Sequence, residues 1–104
     1  MDFEVKPTGS GVGAEIIGLD LSRPVSGATR RALYDTWLDA GILVFRGLGT
    51  SPERHVALSH CFGDLDVHPV ESVRLEGHPE IIELTTRGKD EPIVGRIPWH
   101  SDMI

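Results

Sequence analysis

One glycine in the middle of the chain separates two kinds of periodicity, and that junction constrains the fold more than any other stretch. From Ser26 onward, Leu33, Tyr34, Trp37 and Leu38 recur at spacings of three and four, with Arg30, Arg31, Asp35 and Asp39 on the other side. This predicts an amphipathic helix with those four apolar residues on its inner face. Ser26 suits the N-cap, where a hydroxyl can satisfy an orphaned backbone N–H, and Gly41 suits the left-handed position that ends a helix. Directly afterwards residues 42–45 (ILVF) read as a buried strand, closed by Arg46-Gly47. The chain must therefore combine helix with sheet.

The remaining stretches extend that reading. Residues 3–6 alternate apolar and polar, and residues 15–21 (EIIGLDL) form an apolar run broken by Gly18 and Asp20. Both suit short strands, with the turn-rich TGSGVG at 8–13 between them. Residues 50–63 (TSPERHVALSHCFG) carry a second set of helix signals: Thr50 or Ser51 as cap, Pro52 in the first turn, Glu53 near the positive end and Gly63 as terminator. They predict a helix of about three turns. His78-Pro79 reads as a turn, residues 81–85 (IIELT) as a strand, 87–97 as a charged loop and 99–104 as a last strand. This order lacks the regular alternation of a doubly wound sheet, and no Gly-rich phosphate loop joins a strand to a helix, which sets nucleotide-binding folds aside.

At 104 residues the chain has room for one small domain or part of one. Its formal charge of −6, without a cluster of Lys and Arg, makes nucleic acid and anionic membrane surfaces poor partners. The acidic start, Met1-Asp2-Phe3-Glu4, and the lack of any long uncharged stretch predict a soluble cytoplasmic protein. Cys61 is the single cysteine, so there is no disulfide framework. Beside Phe62 it reads as a buried thiol on the second helix. A nucleophilic pairing with His60 is disfavoured because adjacent helical side chains point about 100° apart.

The histidines are the candidates for chemistry. On a strand, His100 and Asp102 would project to one side, and an imidazole nitrogen beside a carboxylate oxygen suits ferrous iron once a third ligand arrives from elsewhere. The same tripeptide also suits a hydrogen-bonded surface pair. His55 and His60, five apart and so about 140° around a helix, cannot form one ligand face and read as solvated. His68 lies in the loop DVHPV, where Pro69 stiffens the backbone after it, and both a binding and a structural role are open to it. One cysteine and scattered histidines do not supply a closed zinc set.

Several of these pieces occur together, in order, in one known family. GAEIIGLDLSRPVS, ILVFRG, TSPERHVALSHCFGDLDVHPV and WHSD resemble the N-terminal part of the taurine dioxygenase family, which includes the 2,4-dichlorophenoxyacetate dioxygenases. The resemblance runs from about Val5 to Ile104. It implies an α+β, mainly β architecture: the N-terminal portion of a double-stranded β-helix, a cupin-like jelly roll with helices packed outside, so that residues 1–104 would be a single incomplete domain. It also implies Fe(II), 2-oxoglutarate as cosubstrate and O2, with a small anionic organic substrate.

Residue by residue, the resemblance makes His100 and Asp102 the first two iron ligands. It makes His68 the histidine before Pro-Val that meets the substrate's anionic group. Arg96 is a further candidate for an anionic head group, and an exposed loop arginine is the other reading open to it. Where the member specific for taurine has a tyrosine after His-Pro-Val, this chain has Glu71, and where that member has an asparagine this chain has Arg96. Both departures argue against taurine as the substrate. The third metal ligand and the 2-oxoglutarate-binding residues have no counterpart here, so the resemblance implies that these 104 residues alone would not turn over. The rival reading is a non-catalytic, truncated dioxygenase-like module that binds a small anion or a protein partner. A homo-oligomer is left open.

Overall fold

The computed structural model describes residues 2–85 and 98–101. The chain forms two compact units, one running to Val67 and a second from His68 onward.

The first unit is built around the helix–glycine–strand junction. Strand β1 (Glu4–Pro7) pairs antiparallel with β2 (Ala14–Ile17), and β2 pairs in parallel with β3 (Leu43–Phe45). Parallel neighbours need a crossover, and helix α1 (Gly27–Ala40) supplies it between β2 and β3. Ser26 caps α1 as expected: its Oγ accepts from the Thr29 N–H at 3.1 Å. Gly41 ends the helix at φ 79°, where its N–H reaches the Trp37 carbonyl at 2.8 Å. The chain then enters β3 at once, so the carbonyls of Ala40 and Ile42 receive the N–H groups of Gly13 and Ala14 at the mouth of β2.

The core of this unit is Phe3, Ile16, Leu19, Leu33 and Cys61, flanked by half-buried Val5, Leu43, Phe45, Leu58 and Phe62 among others. It corrects the expected helix face. Leu33 is fully buried, but its neighbours on the buried stripe are Thr29, Ala32 and Thr36, whereas Tyr34, Trp37 and Leu38 are exposed. Thr29 tolerates burial because its hydroxyl donates to the Asp2 carboxylate and accepts from the Ser26 hydroxyl. The large rings meet each other instead: Tyr34, Trp37, Phe62 and Phe45 form a series of edge-to-face contacts with centroids 5.6, 5.8 and 6.4 Å apart.

Three local expectations also shift. The run at 15–21 is a strand only to Ile17, because Gly18 at φ 82° turns the chain. Asp20 Oδ1 then accepts from both the N–H and the hydroxyl of Ser22, which holds the Asp20 carboxyl below its ordinary range. Ile42 is outside β3 and exposed, and β3 itself is half-buried at a sheet edge rather than fully buried. Helix α2 (Pro52–Ser59) is eight residues long, shorter than three turns. After His60 the N–H groups of Cys61 and Phe62 bond back three residues, to Leu58 and Ser59, tightening the end before Gly63. Cys61 is thus buried in a turn rather than on the helix, and burial pushes its thiol above the ordinary range, so it is an inert core group. His55 and His60 are exposed, as read from their spacing.

Arg46, just past β3, donates Nε–H to Glu15 Oε1 of β2 at 2.8 Å. That hydrogen bond holds the Glu15 carboxyl below its ordinary range. The folded value lies below the unfolded one, so the contribution is present above the unfolded carboxylate's range and lost as pH falls through the lowered value. Glu15→Gln should therefore flatten part of the acid-side fall in the urea midpoint, a small effect that salt screens. Midpoint curves against pH that run parallel in the two proteins would remove this pair from the acid response.

The second unit begins with a loop and a single 3-10 turn at Glu71–Val73, followed by a hairpin of β4 (Arg74–Leu75) and β5 (His78–Ile82). Here the expected turn at His78-Pro79 and strand at 81–85 are both displaced. Glu76 and Gly77 make the turn, with Gly77 at φ 80°, and His78 opens β5 opposite Leu75. Pro79 is tolerated because a two-stranded ribbon leaves one edge of each strand without a ladder to feed. Among the described residues no helix is long and apolar enough to cross a membrane.

Candidate functional site

Of the four residues singled out from the sequence, His68 and His100 are described, while Asp102 and Arg96 lie outside the described residues. Both histidines belong to the unit that starts at His68. Among the described residues there is no group of three or more His, Cys, Asp or Glu that could hold a metal ion.

The described end of the last stretch, 98–101, is not a strand. Pro98 has no N–H to offer a ladder, and the His100 side chain turns back on it, with Nδ1 2.8 Å from the Pro98 carbonyl oxygen. A carbonyl can only accept, so Nδ1 is the donor in this contact, and the neutral ring then carries its lone pair on Nε2. Histidines that bind metals are oriented in this way by a carbonyl or carboxylate on the other nitrogen. The donor chemistry of His100, which is exposed, therefore fits a metal-ligating imidazole.

His68 is in the complementary state. Its Nδ1 accepts from the Val70 N–H at 3.0 Å, so in the neutral ring the proton sits on Nε2. Pro69 cannot donate, which makes Val70 the first amide after His68 able to bond back to the ring. The ring is half-buried, and its Nε2 has no hydrogen-bond partner among the described residues. It is an N–H donor held in place by its own loop, suited to an anion or a carbonyl. One contact of this loop had no signal in the sequence: Arg74 Nε–H donates to the His68 carbonyl at 2.8 Å.

Residues 4–104 match the family described as taurine catabolism dioxygenase TauD, TfdA family, a match that runs through WHSD. The chain belongs to the TauD/TfdA family. Within it, an (S)-phenoxypropionate/alpha-ketoglutarate-dioxygenase from Delftia acidovorans is 26% identical over 109 residues, covering 96% of this chain and 36% of the relative. A taurine dioxygenase of known structure from Burkholderia xenovorans is 32% identical with a TM-score of 0.63, covering 76% of this chain and 28% of that one. A second solved chain from Burkholderia xenovorans reaches the same TM-score of 0.63 at 36% identity, over 74% of this chain and 28% of its own length. AAD-2, solved in complex with Mn(II) and N-oxalylglycine, shares the fold at 22% identity and a TM-score of 0.56, over 62% of this chain and 26% of that one. This TauD/TfdA chain thus spans about a third of the length of its relatives.

Proposed function

We propose that this TauD/TfdA chain is the N-terminal segment of a cytoplasmic Fe(II)- and 2-oxoglutarate-dependent dioxygenase that hydroxylates a small anionic organic molecule: a sulfonate, a sulfate ester or an aryloxy acid. The observation that carries the reading is the family match over residues 4–104, which includes both described histidines. His100 and Asp102 would supply two iron ligands, with the third ligand and the rest of the jelly roll expected in the part of the relatives' length that this chain does not cover. Bound iron, with 2-oxoglutarate and O2, supplies the oxidation, releasing succinate and CO2 as a hydroxyl is placed on a substrate carbon.

The chain's own residues divide the remaining tasks. The Nδ1–H contact of His100 with Pro98 leaves Nε2 as the nitrogen that would hold the metal. His68 Nε2–H, fixed by the Val70 amide on the other nitrogen, donates to the anionic head group, and Arg96 is a second candidate for that group. Phenoxypropionate and taurine, the compounds in the relatives' names, both pair a compact organic body with an anionic head, which is the chemistry a histidine donor serves. With two of three ligands, the 104 residues alone do not turn over.

The test is a screen of sulfonates, alkyl sulfates and aryloxy acids against the chain extended to its relatives' length, read as 2-oxoglutarate consumption. On the best compound, His68→Ala should raise KM about 10- to 100-fold while iron affinity stays unchanged, the loss expected for a hydrogen bond to a charged group. An unchanged KM would take His68 out of the substrate site.

A further inference from the structure

We propose that Arg74 is a positioning residue: it latches the loop that carries His68 and so holds the imidazole with Nε2–H as the outward donor. The inference rests on the reading of His68 as an anion-binding residue and adds to it the group that keeps the ring in register.

The loop from His68 to Arg74 is closed at both ends. Arg74 is the first residue of β4, paired with Ile82, so its backbone is held by the hairpin. From there its Nε–H reaches back to the His68 carbonyl at 2.8 Å. Inside the closed loop, Val73 N–H bonds to the Val70 carbonyl at 3.4 Å and Arg74 N–H to the Glu71 carbonyl, forming the 3-10 turn. Glu83 N–H fastens Val73 to the strand side at 2.8 Å.

Each of these bonds limits where Val70 can be, and the Val70 N–H is what fills His68 Nδ1. Pro69 leaves no other amide to replace it at that point. With the Arg74 bond removed, the His68 carbonyl and the start of the loop are free to turn. Val70 then leaves Nδ1, and the ring can take its proton on either nitrogen. A ring with the proton on Nδ1 offers an anion a lone pair instead of a donor. An arginine suits the task because Nε lies in a rigid plane that aims its N–H along one direction, and Arg74 is half-buried.

The experiment uses the chain extended to its relatives' length and labelled with nitrogen-15, at about pH 8.5 where imidazole is neutral. Arg74→Met keeps the stem length and removes the donor. In R74M, amide protection at Val70 should fall about 5- to 10-fold, the His68 ring nitrogens should move toward a tautomer average, and the hairpin amides of β5 should be unchanged. Methanesulfonate, titrated in as the anion, should shift the His68 ring in the unsubstituted chain, with an affinity about 5-fold weaker in R74M. Unchanged Val70 protection and ring shifts in R74M overturn the proposal. A ring that answers methanesulfonate equally in both chains overturns the role of Arg74 alone. A latched ring that does not answer methanesulfonate overturns the anion reading of His68, and the role in binding with it. Where R74M loses the hairpin amides, the unsubstituted chain decides: an Arg74 Nε–H that exchanges as fast as that of exposed Arg23 overturns the latch.

Discussion

Leu33→Ala should lower the unfolding free energy of the unit that ends at Val67 by about 3 to 4 kcal/mol, in the middle of the range for a buried leucine truncated in a packed core. Leu33 is 0% exposed and packs with Phe3, Ile16, Leu19 and Cys61, so truncation leaves a cavity that residues of β1, β2, α1 and the turn after α2 would all have to shrink to fill. A unit this small has little stability in reserve, and the loss should move it close to or past half-unfolded at room temperature. Leu38→Ala on the same helix is the control. Leu38 is 64% exposed, and its truncation should change stability by no more than about 0.5 kcal/mol. Urea unfolding followed by far-ultraviolet circular dichroism measures both. Similar midpoints for the two variants would show that α1 is seated on a different face.

His100→Ala, in the chain extended to its relatives' length, should cost more than about 100-fold in iron affinity, above the loss seen when only an outer-shell partner of a metal ligand is removed. Turnover of 2-oxoglutarate should vanish with it, because an imidazole taken from the proposed two-histidine, one-carboxylate site leaves too few donors to hold ferrous iron. The contrast with His68→Ala separates the roles: one variant loses metal, the other loses substrate affinity and keeps metal. Iron bound at unchanged affinity by H100A, measured by competition with a chromophoric chelator, would place the metal elsewhere.

What was legible in the sequence depended on how local its cause was. The caps of α1 and the start of α2 were readable because Ser26, Gly41, Ser51 and Pro52 act on the backbone within a few residues. The buried face of α1 was not. Hydrophobicity put Trp37 and Leu38 inward, while the folded helix buries Thr29, whose burial depends on Asp2, a partner far away in sequence. The hairpin was misplaced by a few residues because Pro79 looks like punctuation, yet Gly77 does the turning. At the candidate site, the sequence singles out His68 and His100 as residue types, whereas their opposite tautomers come from Val70 N–H and the Pro98 carbonyl, contacts that only coordinates display.

The parallel pairing of β2 with β3 has a consequence for timing. β1 and β2 are joined by a short turn and can pair as soon as that turn forms, but Ile16 meets Phe45 only after the whole of α1 has been laid down between them. Sheet growth past β2 therefore waits on the helix. The last strand to join leads directly into Arg46, so the Glu15–Arg46 pair reports when assembly of this unit is finished.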